Sequence, residues 1–548
     1  MKPNPPLPLL PFRAPLRIGR ALAAGIAISS GFASFIETRA AANVNGDAAS
    51  IPVRKLNIRE YRVAGAKQLG AAEIGEAVYP FLGPMRTEQD VESARAALET
   101  LYREKGYQTV TVEIPPQEAR GGIVVLKVVE NKVGRLRVKG SRFFSLSEIK
   151  RRVPSLAEGS LPNFNDIERE IVALNQWPDR QITPALKAGM EPGTVDIDLE
   201  VKDSFPLHGS IELNNRYSPD TTPLRVNGSI SYGNLWQAGH SAGFSFQIAP
   251  ERIEDAKVFS AYYTARFAAV PWLSLTLLGT KQDSNVSTLG GAAVAGRGEI
   301  FGARAMFTLP ARKNFYHSLT FGLDYKKFDE NVFFGLSETV APITYYPWSL
   351  AYNATWAANK RITELNAGVT FHIRGMGSDQ REFDNKRFGA DGSFFYLRGD
   401  ISHTEPLPGG FQLYAKVQGQ ASGRPLLNSE QFSGGGLETA RGYLESAALG
   451  DNALFGTLEL RSPSITQWWK DKENEWRFYA FLDAGYLTLN EPLPEQTSRF
   501  ELASYGLGSQ VRLFDHFHGS IDAGVPLISQ GTTSVNEILF TFRVWGDF

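Results

Sequence analysis

The 548-residue chain contains no cysteine. Disulfide staples, zinc–thiolate sites and thiol catalysis are thereby excluded, and an oxidising compartment would find nothing to oxidise. Neither sign of charge is in excess: 57 Lys+Arg stand against 58 Asp+Glu, so there is no basic stripe for nucleic acid and no acidic tail. Beyond the N-terminus no apolar run is long enough for a membrane helix of ~20 residues. A mature membrane protein would therefore have to be a barrel, the other way of satisfying every backbone hydrogen bond in lipid. Enzyme signatures are missing as well: there is no Gly-x-x-x-x-Gly-Lys-Ser/Thr loop, no Gly-x-Ser-x-Gly elbow and no His-Glu-x-x-His helix, and no cofactor is implied. Of the seven histidines only His516 and His518 are paired; on a strand they would share a face and offer two metal ligands, with no third in view. Gly296-Arg-Gly298 and the glycine run at 434 lack the strand-then-helix setting of a phosphate cradle and read as loops. Asp329-Glu330 beside Lys326-Lys327 reads as a solvated extracellular or strand-end cluster.

What is present begins with an export signal. Arg13, Arg17 and Arg20 precede a short apolar stretch, Ala21 to Ile36, and Ala40-Ala41-Ala42 offers the small residues a signal peptidase needs, so residues 1–42 are expected to be a signal peptide and 43–55 a short linker. Residues 56–205 then carry an internal repeat. Val63-Ala-Gly65, Glu73-Ile74 and Val78 recur as Val138-Lys-Gly140, Glu148-Ile149 and Val153 at an offset of 75. Each copy, 56–131 and 132–205, reads strand, helix, helix, strand, strand, with strands at Leu56 to Val63, Tyr107 to Ile114 and Ile123 to Val129 in the first. Its longer helix carries Val91, Ala94, Leu98 and Leu101 at helical spacing.

From about Pro206 the helical period gives way to alternation. Phe411, Leu413, Ala415 and Val417 interleave with Gln412, Tyr414, Lys416 and Gln418, and Ala242, Phe244, Phe246 and Ile248 with Ser241, Gly243, Ser245 and Gln247. A soluble sandwich or a membrane barrel would each give one apolar face per strand. Charged and amide groups on the other face, and Trp236, Trp272, Trp348 and Trp468-Trp469 near expected strand ends, favour a barrel with a wet lumen and an aromatic girdle. Residues 206–548 divided among sixteen strands give about 21 per strand and loop, a workable even-numbered barrel. The last strand places Phe540, Phe542 and Val544 on one face and ends on Phe548.

Two motifs sharpen this. Ser433-Gly-Gly-Gly-Leu-Glu-Thr-Ala-Arg-Gly-Tyr443 is followed about forty residues later by Phe481-Leu-Asp-Ala-Gly485, in a strand whose alternation turns Phe481, Asp483 and Gly485 away from the apolar face. Glu430-Gln-Phe432 precedes the first motif, and Gly450-Asp451 and Leu458-Glu-Leu-Arg461 follow it. This set resembles the outer-membrane insertase and two-partner secretion superfamily, and the two repeats resemble its POTRA (polypeptide-transport-associated) modules. Two modules before a barrel are similar to the two-partner secretion transporters, the haemolysin secretion and activation proteins.

The resemblance implies α+β periplasmic modules followed by an all-β transmembrane barrel of sixteen antiparallel strands, sited in the outer membrane. It implies a lumen loop carrying Arg441, Gly442 and Tyr443 whose Arg meets Asp483, and a C-terminal signal, Phe540, Phe542, Val544 and Phe548, read by the barrel-assembly machinery. The partners implied are a secreted exoprotein client and outer-membrane lipid. An assembly factor that inserts other barrels, or a passive porin, are the alternative readings. The dozen residues from Asn43 to Arg54 leave little room for the plug helix that relatives can carry. His240, ending Tyr232-Gly-Asn-Leu-Trp-Gln-Ala-Gly-His240, stands where relatives commonly have an acid.

Overall fold

The computed structural model describes residues 55–175, 177–267, 269–287, 294–334, 337–469 and 473–548. The expected signal peptide, and all of the linker but Lys55, lie outside the described residues. Two compact units emerge, one ending at Phe205 and one running from Pro206 to Phe548.

The first unit contains both repeats, each a three-stranded sheet backed by two helices. In the first copy Glu60–Ala64 pairs in parallel with Ile123–Glu130, which pairs antiparallel with Val110–Glu113; Lys132–Lys139, Thr194–Asp203 and Arg180–Ala188 repeat that order in the second. The repeat is enforced by glycine. Gly65 and Gly140 both have φ near +87°, and a Cβ at either would lie 2.4 Å from a carbonyl of the neighbouring strand, Val128 in one and Val201 in the other. The helix Glu88–Glu104 starts at Thr87, whose hydroxyl accepts from the Asp90 N–H, and it buries Val91, Ala94, Leu98 and Tyr102. Tyr102 rather than Leu101 completes that face, because its ring fills the sheet-side core while its hydroxyl reaches Glu130 at 3.3 Å. The expected strand Leu56 to Val63 is broken at Arg59. Leu56–Ile58 pairs instead with Gly83–Arg86, a short strand that Pro84 hides from pattern reading.

From Leu207–Asn214 to Leu539–Asp547 the strands form a closed antiparallel barrel. Ser337–Tyr345 and Trp348–Ala358 both pair with Phe315–Phe334 and are halves of one stave interrupted at Tyr346-Pro347, so the barrel has sixteen staves. Its burial pattern is inverted relative to a soluble protein. Leu277, Phe301, Leu458, Leu482, Leu507 and Phe540 are exposed on the outside, whereas Thr276, Gln282, Gln420, Glu459, Asp483 and Asp522 are buried facing inward. That inversion is what a lipid-facing wall around a polar lumen requires, and it excludes a sandwich core. None of the described helices is long and apolar enough to cross a membrane.

The seam is the shortest pairing in the barrel wall, Leu207–Asn214 with Leu539–Asp547, and it is reinforced from inside. Arg543 makes two bonds to Glu212, at 2.6 and 2.9 Å, both side chains buried. Trp236, Trp272 and Trp468 are exposed in connections at the end of the barrel where Leu207 begins the wall, as a girdle demands. Trp348 corrects the expectation. It lies partway along a stave and packs on Phe321. Gly296 and Gly298 also differ from the loop reading: they belong to the strand Val294–Thr308, where a Cβ on Gly298 would strike the Phe328 ring at 2.4 Å.

Candidate functional site: the lumen loop

Residues 423–451 connect the strands Gln412–Ser422 and Asn452–Arg461, and instead of projecting outward they fold among inward-facing side chains of the wall. Phe432–Gly434 pairs with Ala448–Gly450 as a two-stranded ribbon. Beyond it, Gly435 and Gly436, with φ of +101° and +85°, turn the chain into a tight tip closed by the Thr439 hydroxyl on the Gly435 N–H and C=O.

At the tip Arg441 grips Asp483 with two parallel bonds, Nε to Oδ2 at 2.8 Å and Nη2 to Oδ1 at 2.9 Å, and its backbone N–H donates to the same carboxylate at 3.1 Å. The planar guanidinium is the group that fits this geometry; an ammonium would supply only a point charge. Its Cζ lies 3.7 Å over the centroid of Phe481, which fixes its plane. Two further acids face it: Glu459 Oε1 at 2.7 Å and Asp522 Oδ1 at 3.9 Å. Arg461 balances Glu459 at 2.5 Å, and the Tyr479 hydroxyl donates to Asp522 at 2.7 Å. Gly442 has φ +93° and stands against Gly524, where a Cβ would come within 2.4 Å of the Gly442 nitrogen. Tyr443 is buried, its hydroxyl 2.7 Å from the Ile528 carbonyl and 2.9 Å from that of Ala503. Gly485 leaves room for Phe455, and Gly506, which pattern reading overlooked, leaves room for Phe481.

Further ionic contacts hold the loop, three of them through buried acids that meet residues far apart in sequence. Glu445 meets Arg216 at 2.6 Å, Asp451 takes two bonds from Arg387 at 2.5 and 2.7 Å, and Glu430 takes Lys326 at 2.6 Å. Lys326 thus corrects the solvated-cluster reading. Its side chain is fully buried, while the neighbouring Lys327 and Asp329 are exposed and 3.7 Å apart. The alternation of its strand, with Asp324, Lys326 and Phe328 all buried, was the signal available in the sequence.

The other expected residues lie elsewhere. Phe540 and Val544 face outward and exposed, Phe542 is half-buried, and Phe548 pairs across the seam with Gly209 by two backbone bonds of 3.1 and 3.2 Å, its ring lying over that glycine. His516 sits in a turn, not on the strand. It and His518 both contact Asp547, at its carbonyl and its carboxylate respectively, and no group of three or more metal ligands occurs among the described residues. His240 bonds the Tyr263 hydroxyl at 2.6 Å and the Arg266 carbonyl at 3.0 Å.

Residues 193–511 match the family described as haemolysin secretion/activation protein ShlB/FhaC/HecB, and residues 56–131 match the ShlB-type POTRA domain. The chain belongs to the haemolysin secretion/activation family. Among curated relatives, the outer membrane transporter CdiB of Dickeya dadantii (strain 3937) is 21% identical over 78% of this chain and 76% of its own length. The heme/hemopexin transporter protein HuxB of Haemophilus influenzae is 19% identical over 69% of this chain and 66% of its own. Among solved structures, CdiB from Escherichia coli superposes with a TM-score of 0.64 at 19% identity, covering 92% of this chain and 93% of that one. BamA from Haemophilus ducreyi lacking POTRA domains 1–3 gives 0.55 at 16% identity, covering 90% and 100%. As a family member the chain is an outer-membrane transporter with periplasmic POTRA modules, acting in secretion of a partner exoprotein.

Proposed function

We propose that this transporter captures its client by strand addition on the first module and passes it through the lumen when the tip of the 423–451 loop is released from the wall. The observation that carries the reading is the loop itself: it occupies the lumen and is held there by Arg441 against Asp483, Glu459 and Asp522. Ion pairs and hydrogen bonds can be exchanged for bonds to water or to a passing polypeptide backbone, so such a hold is strong at rest and reversible. No nucleotide or catalytic step enters this reading; folding of the client outside would supply direction.

Each module has two edge strands, Glu60–Ala64 and Val110–Glu113 in the first and Lys132–Lys139 and Arg180–Ala188 in the second. In the second, the strand Arg180–Ala188 carries Pro184, and the Asn175 amide clamps both backbone groups of Ile182, at 2.7 and 2.9 Å. An incoming strand would find those positions occupied or donorless. In the first, Glu60–Ala64 is an edge strand with one strand neighbour, Ile123–Glu130, and beside it opens a 440 Å³ groove lined by Tyr61, Ala72, Gly75, Val78, Tyr79 and Leu82. Backbone pairing there would give affinity with little sequence demand, and the groove would take alternate side chains. Deleting residues 56–203 tests the reading. The expected product is a folded, ion-conducting barrel that secretes nothing; secretion at the full-length rate would refute it.

A further inference from the structure

The 423–451 loop is held at two separate places on the wall. At its root, Leu426 and Leu427 are fully buried in an apolar cluster with Phe328, Phe383, Phe394 and Tyr396. Directly beside them Glu430 is sealed from solvent and receives three bonds: Lys326 Nζ and the Tyr345 hydroxyl, each at 2.6 Å on Oε1, and the Tyr396 hydroxyl at 2.8 Å on Oε2. Arg398 donates to the carbonyls of Glu430 and Gln431, both at 3.1 Å. These donors come from three staves, two adjacent and the third, Phe395–Pro406, one stave further on, on a different stretch of wall from the one that carries Asp483, Glu459 and Asp522. The tip, residues 437–447, is held by ion pairs through Arg441, Glu445 and Glu438, and by Ala440 and Tyr443, which lie in a buried cluster with Phe455, Leu487 and Leu502. Between root and tip lie the ribbon and the left-handed Gly435-Gly436 turn.

Water or a client backbone can replace the polar contacts of the tip. Nothing in transit replaces an apolar core around a carboxylate whose three donors would be left without it. Resting on the tip-release reading above, we infer that Glu430 is the positioning residue that keeps the loop's root fixed on the wall while the tip detaches, so that Arg441 returns to Asp483 in register after each client.

The cysteine-free chain allows a direct test in the full-length protein. Ser429→Cys reports on the root and Thr439→Cys on the tip, each labelled in cells by a membrane-impermeant maleimide with and without induction of a co-expressed exoprotein client. Client export is expected to raise Thr439→Cys labelling at least fivefold and leave Ser429→Cys unchanged. Adding Glu430→Gln is expected to make Ser429→Cys labelling client-dependent as well, with barrel yield and heat-modifiable mobility retained; Glu430→Asp is expected to restore protection in part. Equal rises at both positions in the otherwise native chain would overturn the fixed root and leave loop release standing. A rise at neither would overturn release itself, and the division of the loop with it. A Glu430→Gln root that stays protected would assign the anchoring to the apolar cluster and overturn the role of Glu430.

Discussion

Arg441 and Asp483 should fail unequally when removed. Losing one partner of a buried ion pair typically costs about 3–5 kcal/mol, because the other charge is stranded. Asp483→Ala does not strand Arg441, which keeps Glu459 at 2.7 Å and Asp522 at 3.9 Å, so the loss in loop docking should sit near the lower end, about 3 kcal/mol. Arg441→Ala leaves Asp483 with no cation and Asp522 with only the Tyr479 hydroxyl, while Glu459 retains Arg461, and the loss should approach about 5 kcal/mol. At about 1.4 kcal/mol per factor of ten, the docked-to-undocked ratio falls roughly a hundredfold for Asp483→Ala and a thousandfold or more for Arg441→Ala. The double variant removes a stranded acid together with the cation and should be no worse than Arg441→Ala alone. Resting accessibility of Thr439→Cys measures docking, and the ratio of exoprotein in the medium to that left in the periplasm measures transport. Additive losses, or Asp483→Ala worse than Arg441→Ala, would mean that the surrounding acids do not share one cation.

Deleting Phe548 removes two seam bonds and the ring over Gly209, and should lower barrel yield without affecting export to the periplasm, as read by heat-modifiable gel mobility; an unchanged yield would contradict an assembly role. Arg62→Pro should weaken client capture by the full-length transporter. Alternation from Arg59, whose N–H donates to Gly122, turns the Arg62 N–H to the open edge, so the fold is spared while the ladder is blocked; a pull-down with exoprotein unaffected by the change would exclude this edge. In the second module Asp198 is buried under bonds from Lys139, Lys187 and Arg137, which hold its carboxyl well below the usual range. A depressed carboxylate stabilises fully above its unfolded pKa of ~4 and loses that contribution as pH falls toward the folded value. Amide protection factors in Thr194–Asp203 should therefore fall below about pH 4 in the native chain and be less sensitive to acid in Asp198→Asn.

The repeat, the change of period at Pro206 and the face assigned to Asp483 were legible because each is a local property of the chain. An offset of 75, an alternation of two and a helical spacing survive without knowledge of neighbours. The same locality explains the errors. Gly296-Arg-Gly298 looks like a loop until Phe328 is placed over Gly298, and Trp348 looks like a strand end because Tyr346-Pro347 interrupts its stave without ending it. Lys326 beside Lys327, Asp329 and Glu330 has the composition of a solvated cluster, and only parity separates its fate from that of Lys327.

The sequence by itself determined which residues face the lumen, since the side-chain direction of a strand alternates whatever the strand pairs with. Tertiary structure alone decided which of those inward charges meet. Glu430 finds Lys326 across 104 positions and Glu445 finds Arg216 across 229, because barrel closure brings distant staves around one loop. A one-dimensional pattern carries orientation. It holds no information about partners whose proximity depends on the number of staves, their register and the path of a chain folded back inside them.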